Sequence, residues 1–225
     1  MIGMTESLRG ALMLARFDKR GLGAFDGSTA NARASFRVVW PLLGFYLIMA
    51  VILFSLMGGA GAETSVDTTI DETGVAASEG EPLSDMMALQ VAGLLFLSQV
   101  IAWLGLLVMM HAMLVKGGMG HRAHTAIAAY NWTLFWRKAL EVMPLLMIAI
   151  GVGAGGGAQF LQFCVMIYSM VFLFFTMKTA LEGRGFDAAI IVFLEVMLAL
   201  TVPLMAFQSD PAAFQAVLQV GQASQ

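Results

Sequence analysis

Cysteine, charge and the usual catalytic signatures are all scarce in this sequence. Its one cysteine, Cys164, stands inside an apolar run, so neither a disulfide nor a thiolate metal cluster can form within one chain. Only 12% of the 225 residues are charged, about half the roughly 25% of soluble domains. The 12 lysines and arginines form no dense run and the net charge is −3, which leaves nucleic-acid binding without its electrostatic footprint. No H-E-x-x-H, G-x-S-x-G or Walker A pattern occurs, so hydrolase and ATPase chemistry lack their usual residues. Gly151, Gly153 and Gly156 fit G-x-G-x-x-G, but the dinucleotide fingerprint needs a preceding strand and a soluble βαβ unit. No cofactor and no enzymatic activity are expected.

What is abundant is apolar surface. Hydrophobic residues make up 59% of the chain and collect in blocks of about 20, the length a helix needs to cross a hydrocarbon core of about 30 Å. The blocks run over about 38–57, 86–115, 139–157, 158–177 and 188–207. The third is the weakest, with Glu141 near its start and five glycines at its end. The expected fold is all-α: a polytopic membrane bundle of about five transmembrane helices, with short amphipathic helices at both ends.

Charge supports five spans. Lysine and arginine in short loops stay cytoplasmic. Five spans with the amino terminus inside place every basic residue there, Arg137, Lys138, Lys178 and Arg184 included. The outer side then receives the seven carboxylates of 58–85 and Asp210. If the third block did not cross, Lys178 and Arg184 would move outside. The expected location is a bacterial inner membrane with the carboxyl terminus in the periplasm, and the expected partners are the lipid bilayer and other membrane proteins or a second copy.

Before the first block, residues 1–37 place Leu8, Ala11, Leu12 and Ala15 on one helical face, with Glu6, Arg9 and Arg16 opposite. Such a helix either lies on the cytoplasmic leaflet or packs on the cytoplasmic ends of the spans. It is not read as a signal peptide, because 37 residues precede a block long enough to stay as an anchor, although Ala60-Gly61-Ala62 resembles a cleavage site. The acidic stretch 58–85 has no calcium-loop order of ligands and reads as solvated chain. In the tail 208–225, Phe214, Val217 and Leu218 fall at helical spacing after Pro211.

The polar residues inside the blocks are the candidates for function. Glu195 stands about eight residues into the fifth block, roughly 10–12 Å below the cytoplasmic boundary, where ionisation is costly. Ser169 and His111 come within about a helical turn of that depth and are its expected partners. Glu195 serves either as a proton or cation relay or as a joint between helices. An intramembrane enzyme would need a second polar group within reach of it, and a cavity. His121 and His124 are three apart but have no cysteine or carboxylate near them in sequence, so no metal site is expected. Glu141 is four residues from Arg137, the spacing of a helix-surface ion pair. Gly151, Gly153, Gly155 and Gly157 repeat at the four-residue interval that lets two membrane helices approach closely; they predict an antiparallel hairpin of the third and fourth spans with Gly151 and Gly155 on the shared face.

Tyr130-Asn131-Trp132, leading into the third block, and Gly183-Arg184-Gly185-Phe186, between the fourth and fifth, give the chain a further character. With the five-block topology, they resemble the Yip1-type family of small membrane proteins, which share a cytoplasmic amino terminus, five spans and a very short outer carboxyl end. The resemblance covers the membrane part; the family's long cytoplasmic amino-terminal region is shortened here to 37 residues. Eukaryotic members are associated with vesicle trafficking and small GTPases, so the resemblance implies a non-enzymatic helper.

Overall fold

The computed structural model describes residues 4–59, 85–150 and 156–209. The cleavage-like Ala60-Gly61-Ala62, most of the acidic stretch, the tail beyond 209, and Gly151, Gly153 and Gly155 lie outside the described residues. Seven α-helices are described: α1 (Met4–Ala15), α2 (Thr29–Ser35), α3 (Val39–Gly59), α4 (Asp85–Lys116), α5 (Gly120–Ala149), α6 (Gly157–Ala180) and α7 (Gly185–Ser209). Two 3-10 turns, Lys19–Ala24 and Phe36–Val38, join the early ones, and no strand occurs among the described residues. Among the described residues, three helices are long and apolar enough to cross a membrane: Gly93–Lys116 within α4, Gly157–Ala180, and Gly185–Ala206 within α7.

Local rules set the turns. After α4, Gly118 takes the left-handed conformation (φ 74°), Met119 N–H donates to the Leu114 carbonyl (2.7 Å) and Gly118 N–H to that of Val115 (3.2 Å), so the last carbonyls are satisfied within the turn. The same pairing closes α6, where Gly183 N–H donates to Lys178 (2.7 Å) and Glu182 N–H to Thr179 (3.2 Å). It also closes α1, where Phe17 holds the left-handed position (φ 58°), unfavourable for a bulky residue. Its ring packs edge-on against Tyr168 (6.0 Å) and Phe175 (5.2 Å) of α6, contacts that offset the strain.

α5 is the central helix. It touches α1, α2, α3, α4 and α6, and packs most extensively on α6. Its first half is buried on all sides, with Ala123, Ala126, Ala128 and Ala129 inaccessible, because small side chains let the neighbouring helices come close. The sequence places the start of the third block at 139, yet the helix starts at Gly120. Residue 139 marks a change of surroundings instead: Ala123–Leu134 are almost wholly buried, while Met143, Leu146 and Ile148 are exposed.

The amino-terminal helix does not lie apart on a leaflet. α1 packs on α5 and α6 with Ser7, Gly10, Ala11 and Leu14 buried. Trp136 Nε1 donates to the Leu8 carbonyl (3.2 Å) and the Tyr168 hydroxyl to that of Ala15 (2.5 Å). α1 and the first 3-10 turn cross at Gly10 and Gly21, where a Cβ on Gly21 would come within 2.9 Å of the Leu14 amide nitrogen.

Gly157 departs from its expected role. It opens α6, is exposed, and a Cβ added there would meet open space. Close helix approach is therefore not made at Gly157.

Candidate functional site

A polar group of residues sits where the buried half of the bundle gives way to the exposed half. Tyr130 and Arg137 are seven apart on α5, two turns, and so share a face. That face carries their side chains to Glu195 of α7. Arg137 Nη1 donates to both carboxylate oxygens, at 2.8 and 3.0 Å, and the Tyr130 hydroxyl donates to Oε1 at 3.2 Å. The Arg137 and Glu195 side chains are only 9% and 17% exposed. One turn on, Lys138 pairs with Glu141 at 2.6 Å. Arg137 and Glu141, four apart, do not pair, because Arg137 turns to the more deeply placed carboxylate of α7 and Lys138 takes Glu141.

A second, uncharged network lies nearer the turns. The Asn131 side chain, fully buried, donates to Ser35 Oγ (2.9 Å) and accepts from Trp103 Nε1 (3.2 Å). Ser35 in turn donates to the Ala32 carbonyl (2.6 Å). One asparagine thus ties the end of α2 to α4 and α5. An orphaned buried amide is costly, so the amino-terminal segment is held in register with the bundle.

Beside the ion pair is a cavity of about 230 Å³ between α4, α5, α6 and α7. Tyr130, Arg137, Glu195 and Ser169 line it, with apolar groups such as Leu106 and Met170. Ser169 therefore lines the same cavity as Glu195 but does not bond it: among the described residues its buried oxygen has no partner. His111 is not brought there. It is exposed near the end of α4, its ring 6.4 Å from that of His124. Among the described residues no three His, Cys, Asp or Glu side chains cluster as metal ligands.

The site offers Glu195 a second polar group within reach, and a cavity, two requirements of an intramembrane enzyme. Among the described residues, no base lies against Ser169 Oγ to activate it as a nucleophile. Arg137, Tyr130, Asn131 and Ser35 are not among the site residues that the sequence singles out. The signal for the first two is their seven-residue spacing, which points both at one neighbour once the helix is extended back to 120, whereas the four-residue spacing points Arg137 at Glu141 instead.

No family model, curated protein or solved structure matches the chain.

Proposed function

We propose that this is a non-enzymatic integral membrane protein of five crossings that acts through contacts with lipid and with partner proteins or a second copy of itself. Its amino terminus faces the cytoplasm and its carboxyl terminus the periplasm of a bacterial cell. The observation that carries the reading is the engagement of Glu195 by Arg137 through both carboxylate oxygens. A proton or cation passing through Glu195 would have to displace a guanidinium that never gives up its charge. The pair joins α5 to α7 as a joint.

Five crossings are supported by the apolar α3, which carries no charge over 21 residues, and by the outer part of α5. The basic residues Lys116, Arg122, Lys178 and Arg184 all belong to the end that holds the α4–α5 and α6–α7 turns, as the positive-inside rule asks. The Yip1-type resemblance points to the same non-enzymatic class.

Reconstitution into vesicles with a trapped pH-sensitive dye tests this. The protein and Glu195→Gln are both expected to give no proton or cation flux above protein-free vesicles, while Glu195→Gln melts at lower temperature. Flux that Glu195→Gln abolishes would make the chain a transporter and sink the joint reading. Topology is tested separately: cysteines introduced at Thr69 and Ser224 should react with an impermeant thiol reagent from outside intact cells, and one at Gly118 should not.

A further inference from the structure

The cavity beside the ion pair combines three features. Its charges are already spent: Arg137 is held by Glu195 and Lys138 by Glu141, so a charged ligand finds no free counter-charge. It keeps two hydrogen-bonding groups with no partner among the described residues, Ser169 Oγ and Arg137 Nε, on residues that are 4% and 8% exposed. Both can donate. Finally, three of its lining residues, Met166 on α6 and Ala199 and Leu200 on α7, are exposed. They stand on two helices long and apolar enough to cross a membrane.

We propose that this cavity binds an uncharged lipid amphiphile between α6 and α7, with an ester or ketone carbonyl taken by Ser169 and Arg137 and its hydrocarbon passing out over Met166 and Leu200. Diacylglycerol is the simplest membrane molecule of that class. An acceptor without charge satisfies the two orphan donors and leaves both ion pairs intact. An ionic headgroup would have to break one pair, and a plain hydrocarbon would leave the donors unmade, at the cost that buried unsatisfied groups carry. The volume, about 230 Å³, admits a carbonyl and the start of a chain; the remainder lies in lipid.

The proposal rests on α6 and α7 crossing a membrane, and the test separates the two. The full chain is placed in phosphatidylcholine vesicles containing a diacylglycerol with a diazirine close to its ester, irradiated, and the adducts are mapped by mass spectrometry. Adducts are expected on 166–173 and 195–200, competed by unlabelled dioleoylglycerol but not by phosphatidylglycerol or hexadecane. Ser169→Ala should weaken capture about fivefold, the worth of one hydrogen bond. Val196→Phe, which fills the cavity, should abolish capture, with melting within a few degrees of the parent serving as the check on folding. Labelling spread over Phe160, Val108 and Phe193, or equal competition by phosphatidylglycerol or hexadecane, would overturn the site. Release of the protein from vesicles by alkaline carbonate would overturn the membrane reading itself.

Discussion

The same four long helices are built on opposite terms at their two ends. At the end that holds the α4–α5 and α6–α7 turns, Leu106, Met110, Leu114, Phe172, Met177 and Ile191 are wholly or almost wholly buried, and α1, α2 and two 3-10 turns pack on α5 and α6 there. Toward the other end, Leu97, Met143, Phe160, Phe163, Leu204 and Met205 are exposed. An exposed apolar surface of that extent is unfavourable in water and neutral in lipid, where hydrocarbon outside is as apolar as the side chains. The amino-terminal segment adds its buried contacts at the first of these ends, on α5 and α6. The polar residues Asn131, Arg137 and Glu195 mark the border between the two regimes.

Breaking the border should have the largest effect. Arg137→Ala leaves the largely buried Glu195 carboxylate without its counter-charge, with only the Tyr130 hydroxyl still donating to it, and a loss of about 3 kcal/mol is expected, measured by denaturation of detergent-solubilised protein. Replacing both, Arg137→Met with Glu195→Leu, should recover most of that, since an apolar pair carries no desolvation penalty. If the double variant were no better than Arg137→Ala, the pair would not be the joint.

Asn131→Leu comes next. It leaves Ser35 Oγ and Trp103 Nε1 without their partner, and about 2–3 kcal/mol is expected to be lost. The damage should fall on one side of the comparison: limited proteolysis within 4–38 should quicken, while cleavage elsewhere changes little. Uniform loosening would mean that the network does not hold the amino-terminal segment in particular.

Much of this architecture is legible in the sequence, and the parts that are not share a cause. The apolar blocks locate α3, α4, α6 and α7 to within a few residues, because lipid-length helices declare themselves by composition. Glu195 stands out because a carboxylate in an apolar run is costly unless a partner or water receives it. The first half of α5 escapes such a reading because Tyr130, Asn131, Thr133 and Arg137 are polar enough to pass for a loop; burial under α1 and α2, a tertiary fact, makes that stretch core. Depth alone finds Ser169 but misplaces His111, since depth says nothing about which way a helix face turns.

The third test sets packing at the two ends side by side. Gly21→Ala places a methyl against the Gly10 carbonyl and the Leu14 amide, and overpacking of about 1–3 kcal/mol is expected. Phe160→Leu, on the exposed side, should change detergent stability by no more than about 0.5 kcal/mol. Equal effects would erase the distinction between the ends.

The smallest effect concerns the outermost corner of the buried end. Asp18 accepts from the Arg20 amide (3.0 Å) and pairs with its guanidinium (2.7 Å). The Arg20 side chain, first among the causes, holds the Asp18 carboxyl below the usual carboxylate range. A carboxyl lowered on folding stabilises the fold above its ordinary value, and that contribution fades as the pH falls through the ordinary value and then the lowered one. Both groups lie at the surface, so the contribution is slight, and it should show locally rather than in global melting. Amide exchange of 19–24 is expected to quicken as the pH is taken down through this range, after correction for the intrinsic rate, while exchange of 123–134 stays flat. Asp18→Asn keeps an acceptor for the Arg20 amide but has no charge to lose, so at neutral pH it should match the acidified parent and show no further change. If Asp18→Asn kept the parent's pH dependence, the loosening would belong to another group, and the 3-10 turn would owe nothing to this pair.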